Sequence, residues 1–225
     1  MAYILNIETS TTNCSVAISY NGEQISLKED NNKQYSHAER LHLYIEEVLS
    51  SAEIDSKTLD AVSVSMGPGS YTGLRIGVSA AKGLCFALDI PLIAIPTLDS
   101  LSRKIKINDG YIVPLIDARR LEVYTAIFDS EYSCIEPTSA KILDKTSYNK
   151  ILESNSVYFV GNATQKTNAI INHKNAVFCD QLPSASQMCE MSFEKFRLNQ
   201  FEDLAYFEPF YLKDFVAFTK KWLMI

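Results

Sequence analysis

Apolar residues alternate along much of this chain and crowd together in one long run. Tyr3 to Ile7 alternates as a strand, Glu8 to Asn13 is a polar turn, and Cys14 to Ser19 alternates again up to Asn21-Gly22, a strong hairpin signal. Gln24 to Lys28 makes a third strand, and residues 30–34 form a loop. Ser36-His-Ala-Glu39 is a capping box that opens a helix running to about Ser51, with Ala38, Leu41, Ile45, Val48 and Leu49 as its apolar stripe. Leu59 to Val64 reads as a buried central strand. Gly67-Pro-Gly69 then turns the chain out of the sheet, because glycine tolerates positive φ and proline lacks the amide a ladder needs.

The helix launched by that turn, Thr72 to Leu88, carries only Arg75 and Lys82 as charges. At 100° per residue its apolar side chains fill two lanes. One is bulky: Leu74, Val78, Ala81, Cys85 and Leu88. The other is mostly small: Gly73, Gly77, Ala80, Leu84 and Ala87. The arc spans roughly 200°, where a one-sided surface helix needs about 100°. Such a helix has two things to bury against: its own sheet, and either an internal helix or a partner chain. With two cations and three glycines it is too short and too polar for a membrane span.

Ile90 to Ile95 is a further strand, and Pro96 to Leu101 heads a helix. Then the pattern restarts. Ile112 to Ala118 and Leu121 to Phe128 repeat the opening strands, with an acid placed nine residues before an Ala-Ile pair in both: Glu8 before Ala17-Ile18, Asp117 before Ala126-Ile127. Val157 to Val160 runs into Gly161-Asn162 and a helix over 163–172, echoing the turn at Gly67. A duplicated hairpin-plus-crossover unit predicts two similar α/β domains, 1–105 and 106–225, each a mixed sheet with flanking helices.

The 225 residues are 47% hydrophobic, enough for a proper core, and the net charge of -6 with no basic stripe beyond Arg119-Arg120 and Lys220-Lys221 excludes a free-standing nucleic-acid binder. The five cysteines, at 14, 85, 134, 179 and 189, have no metal spacing and read as reduced core residues of a cytoplasmic protein without a signal peptide. His37 and His42 lie about 140° apart on a helix, the wrong spacing for a metal pair, and read as solvated or capping residues. The Gly67 turn leaves two readings open, an anion cradle at a helix N-terminus or a close strand-helix contact, since neither phosphate-loop fingerprint is present. The last 25 residues hold eight of the 24 aromatics and read as a tail that packs into the core or onto the first domain.

Ile7-Glu-Thr-Ser10, Gly67-Pro-Gly-Ser-Tyr-Thr-Gly-Leu-Arg-Ile-Gly77, Asp117-Ala-Arg-Arg-Leu-Glu-Val-Tyr124 and Pro209-Phe-Tyr-Leu-Lys213 together identify a resemblance. The chain resembles, over its whole length, the TsaB family of bacterial tRNA threonylcarbamoyladenosine biosynthesis proteins. These are non-catalytic relatives of the TsaD transferase within the actin, Hsp70 and sugar-kinase (ASKHA) superfamily. The resemblance implies that superfamily's paired domains. It also implies a dimerisation or scaffold subunit of the complex that transfers a threonylcarbamoyl group to adenosine beside the tRNA anticodon, docking and activating a TsaD-like subunit. ATP and metal would then sit in partner subunits, a TsaE-like ATPase and tRNA would be met only through the complex, and the isolated chain could pair with itself.

The residues agree with a loss of catalysis. The active relative has a His-x-x-x-His motif where this chain reads Thr97-Leu-Asp-Ser-Leu101, one carboxylate and no imidazole. Asp117-Ala-Arg-Arg puts side chains where a cradle needs glycine, and Leu121 departs from the small or polar residue the family leads one to expect. No catalytic or metal-ligating residue is therefore expected. Glu8, Thr9, Ser10, Gly67, Gly69 and Asp117 read as vestigial phosphate turns, and Ala38, Leu41, Ile45, Val48, Gly73, Gly77, Ala80, Leu84 and Ala87 as a partner interface. An autonomous ATP-dependent or metallopeptidase-like enzyme is the competing reading.

Overall fold

The computed structural model describes residues 1–31 and 37–213. Strands β1 (Tyr3–Glu8), β2 (Cys14–Tyr20) and β3 (Glu23–Asp30) form an antiparallel meander, and β4 (Ala61–Gly67) and β5 (Leu92–Pro96) add to β1 in parallel, giving the order β3-β2-β1-β4-β5. Between them run α1 (His37–Ser51) and α2 (Tyr71–Leu88), and α3 (Thr97–Ser102) follows. The second sheet repeats the plan. β6 (Tyr111–Asp117), β7 (Glu122–Phe128) and β8 (Cys134–Ile142) make the meander and β9 (Val157–Val160) and β10 (Ala176–Cys179) the parallel pair, in the order β10-β9-β6-β7-β8. The expected pair of similar α/β units is present, each a five-stranded mixed sheet with flanking helices. The crossovers of the second are stubs, α4 (Asn149–Leu152) and α5 (Thr164–Asn168), the latter shorter than the helix expected over 163–172.

Period-2 alternation sends β1 in two directions. Leu5 and Ile7 join Val62, Val64, Leu41, Val48, Val78 and Cys85 in the core beneath α1 and α2. Ile4 points the other way, into a second cluster with Ile93 and Ile95 that is covered by α6 (Met188–Arg197) through Met188, Cys189 and Met191. The chain, which was expected to form one unit over 106–225, thus returns to the first sheet after β10. The return is pinned by polar contacts, since Asn13 Nδ2 donates to Pro183 O (2.9 Å), Ala185 N to Ser15 Oγ (3.0 Å) and Ser184 Oγ to Glu29 (2.6 Å). In exchange, Leu98 and Leu101 of α3 pack with Ile112, Ile116 and Val160 of the second sheet. Thus α3 fills a cluster of the second sheet, and α6, which follows that sheet in the chain, fills one of the first.

Past α6 the chain becomes a strap across the first half. Glu202 N donates to Leu92 O (2.9 Å) on β5, Phe207 is buried in the core under α2, Phe210 N donates to Met66 O (2.7 Å), and Lys213 pairs with Glu122 of β7. Of the tail's aromatics, Phe207 is buried under α2 and Tyr206 is exposed, and Phe215, Phe218 and Trp222 lie outside the described residues. Among the described residues no helix is long and apolar enough to cross a membrane. Cys14, Cys85 and Cys189 are the expected core residues, and burial pushes the first two thiols up to about 11. Cys134 corrects that expectation, being exposed on β8.

Candidate functional site

Two places carry the residues singled out by sequence, and they are built differently. The first is the turn after β1. Glu8 is fully buried; its Oε1 accepts from Ser10 N (2.6 Å) and Ser65 Oγ (3.0 Å), while Oε2 has no partner among the described residues. Burial raises its pKa, and the hydrogen bonds from Ser10 and Ser65 only partly oppose that. Thr9 Oγ1 donates to Gly73 O (2.8 Å), and Ser70 N donates to Ser10 O (2.7 Å). The Thr9-Ser10 turn therefore lies flat on the first two turns of α2.

This contact is why the small lane of α2 is small. A Cβ on Gly73 would stand 2.1 Å from Thr9 O, one on Gly77 2.2 Å from Thr9 Oγ1, and one on Gly69 2.5 Å from Ser10 O. Gly67 has a φ of 109° and faces the Phe210 carbonyl of the strap. Of the two readings of the glycine turn, the close contact is the one realised here. Its amides are engaged too: Gly67 N donates to Thr97 Oγ1 (3.2 Å), and Ser70 Oγ caps α2 by accepting from Gly73 N (3.3 Å).

The corresponding acid of the second half stands apart. Asp117 is exposed and its Oδ1 accepts from Lys166 Nζ (2.6 Å) and Arg119 N (2.6 Å). Lys166 also donates to the carbonyls of Arg120 and Glu122, closing a turn in which Arg119 and Arg120 take positive φ. The structure brings Glu8, Thr9, Ser10, Gly67 and Gly69 together and leaves Asp117 elsewhere, under a lysine of α5.

The second place is the outer face of α1 and α2, where the expected interface needs correction. Leu41, Ile45 and Val48 are buried in the core beneath the helices, and Gly73 and Gly77 are consumed by the Thr9 turn, so none of these five offers a surface. Ala38 and Ala87 are exposed, and Ala80 and Leu84 are half-buried. Ala38, Ala80 and Leu84 line a groove of about 570 Å³ with Ile76, Gly83 and His42. The histidines divide: His42 is on this groove, whereas His37 is buried with Nε2 against Thr11 O (2.7 Å), so of the two expected roles, solvated or capping, the solvated one does not hold for His37. Ser36, the expected cap, lies outside the described residues.

Sequence reasoning missed Ile76, Gly83 and Phe86. Phe86 is 82% exposed and continues the lane of Ser79 and Gly83 at helical spacing, and a Cβ on Gly83 would meet nothing within 4 Å. The exposure of Phe86 was not legible in the sequence; in the structure it marks a lane that no described residue covers.

The family model described as TsaD: tRNA N6-adenosine threonylcarbamoyltransferase matches residues 31–221. The chain is 28% identical to the tRNA threonylcarbamoyladenosine biosynthesis protein TsaB of Haemophilus influenzae, covering 96% of both chains, and 27% identical to TsaB of Escherichia coli, covering 96% of this chain and 97% of that one. A crystal structure from Pseudomonas aeruginosa, described as an uncharacterized protein with similarity to peptidase YEAZ, superposes with a TM-score of 0.84 at 22% identity over 95% of this chain and 100% of the other, which establishes a shared fold.

Proposed function

We propose that this chain, which belongs to the family described by the TsaD tRNA N6-adenosine threonylcarbamoyltransferase model and resembles TsaB over its length, acts in tRNA threonylcarbamoyladenosine biosynthesis as a docking subunit rather than as the transferase. The observation that carries the reading is the open groove between α1 and α2, flanked by the exposed Phe86. A helix pair already packed on its own sheet and still offering an apolar lane is suited to receive a second helix pair, here that of a TsaD-like transferase.

The other site supports the non-catalytic half of the proposal. A catalytic acid needs access to substrate and a pKa matched to its task. Glu8 is sealed from solvent, and its surroundings favour the protonated form. The Gly67 turn is occupied by the chain's own strap, and Asp117 is held by Lys166. These residues hold backbone and helix in place, and the chemistry falls to the partner.

Docking is tested by mixing the protein with the TsaD-like protein of the same organism and measuring complex formation by sizing. Ala80→Arg places a long charged side chain in the groove. An unpaired charge in a buried contact costs a few kcal/mol, and at about 1.4 kcal/mol per tenfold this removes micromolar binding. Lost complex with an unchanged melting temperature is expected. Gly83→Arg, whose side chain starts in open space, gives the same reading should Ala80→Arg fail to fold. Full binding by both variants overturns the proposal.

A further inference from the structure

Arg75 lies between two hollows on the outer side of α2. One is the groove toward α1; the other, of about 390 Å³, lies toward the strap, where it is bounded by Arg75, Lys82, Glu208 and Tyr211. The guanidinium is held rather than loose. Its central carbon is 4.2 Å from the centre of the Tyr71 ring and 6.0 Å from that of Tyr211, and Nε donates to the Tyr211 hydroxyl (3.2 Å). The two rings are themselves 4.9 Å apart. One of the five N–H donors is thus used to fix orientation, and both terminal nitrogens lie beyond it.

Among the described residues the neighbouring charges give it no ion-pair partner. Lys82, the other cation of the hollow, is engaged by the carbonyls of Ala205 (3.2 Å) and Phe207 (3.1 Å). Glu208 is near enough to favour the charged arginine, yet among the described residues no carboxylate reaches ion-pair distance of Arg75. A stacked arginine whose planar fork is pre-oriented matches a carboxylate bidentately and loses little freedom on binding. Arginine and tyrosine are also the residue types that carry most of the energy of protein contacts.

We infer that Arg75 is the charged anchor of the docking face, and that the helix pair seated on the groove presents an aspartate or glutamate to it. The inference rests on the docking reading above and adds the chemistry of the occupant: an apolar lane beside a carboxylate, with the Tyr71-Arg75-Tyr211 stack setting its register along α2.

The test is titration of the transferase-like partner against wild type, Arg75→Gln, Arg75→Lys, Tyr211→Phe, Ala80→Arg and Gly83→Arg at two salt concentrations. Arg75→Gln is expected to weaken binding about tenfold or more, with an unchanged melt and a flatter dependence on salt. Arg75→Lys keeps the charge and loses the fork, so it falls between the two. Tyr211→Phe removes the hydroxyl that Arg75 uses to hold the strap and keeps the ring, and it stays within about threefold of wild type. The inference is overturned if Arg75→Gln binds like wild type with the same salt dependence while Ala80→Arg does not bind, an outcome that leaves docking intact. It is also overturned if Tyr211→Phe reproduces the whole loss, because Arg75 then acts only by positioning the strap. Normal binding by both Ala80→Arg and Gly83→Arg removes both readings together.

Discussion

The two halves share a strand order and differ in what crosses it. In the first, the crossovers are α1, with 15 residues, and α2, with 18; in the second they are α4, with 4, and α5, with 5. The acids after the first strand of each half follow the same division. Glu8 is buried under a long helix whose glycines admit the Thr9 turn, and Asp117 is exposed beside a stub whose lysine closes the turn. One sheet plan has therefore supported two outcomes, a helix pair with a spare outer face and a minimal unit that mostly completes the fold. The specialisation lies in the crossovers, which is where the proposed docking face lies.

The strongest way to break this contrast is to spoil the fit of α2. Gly73→Ala would press a Cβ against the Thr9 carbonyl, a backbone atom that cannot step aside, whereas Gly83→Ala on the same helix meets open space. Overpacking of this kind costs about 3 kcal/mol, or roughly 10 °C of melting temperature in a chain of this size. The Gly83 change should instead raise stability by about 0.5–1 kcal/mol, through helix propensity and the stiffer unfolded chain. Calorimetric melts of the two variants are expected to move in opposite directions.

A second measurement separates the two acids by pH. The folded pKa of Glu8 is raised above its ordinary value by burial, so its contribution is fully present below the unfolded value near 4.5 and is lost as pH rises through the folded one. Glu8→Gln removes that titration. Wild type should lose stability relative to the variant as pH rises above about 4.5, with a slope of up to about 1.4 kcal/mol per pH unit until the folded pKa is passed. Parallel curves across that range would show that Glu8 is not buried in solution.

The smallest effect is expected in the second half. Asp117→Asn loses the ion pair with Lys166, but its carboxylate is exposed, and such pairs contribute about 0.5 kcal/mol and are screened by salt. Urea unfolding should show a marginal loss at low salt and none at 1 M. A large loss would mean that the turn matters to the fold as much as its counterpart does.

The elements that sequence revealed are the ones whose signals are local. β1, β2, the Asn21-Gly22 hairpin, the Gly67 turn and α2 announce themselves through alternation, turn residues and a run of apolar positions at helical spacing, all within a few residues. β8 gave no such signal, because it is a largely exposed edge strand with Glu136, Pro137 and Lys141 along it, residues that protect an edge and hide it from a hydrophobicity pattern. The path of α6 depends on contacts between residues more than 90 positions apart, such as Lys195 Nζ donating to Ala94 O, which no local pattern encodes. The two-laned arc of α2 was legible, but which lane faces inward was not. Small residues suit a turn as well as a partner helix, and only the position of Thr9 decides between them.

The return of α6 to the first sheet bears on the order in which the molecule is made. Ile4, Ala61, Ile93 and Ile95 leave the ribosome early, yet the side chains that cover them, Met188, Cys189 and Met191, are synthesised about a hundred residues later. At roughly 5–20 residues per second, that face of the nascent first half stays open to water for about 5 to 20 s. For that interval the growing chain carries a greasy sheet face of its own making, and a stalled or shortened message that ends before residue 188 would release a product with that face permanently bare.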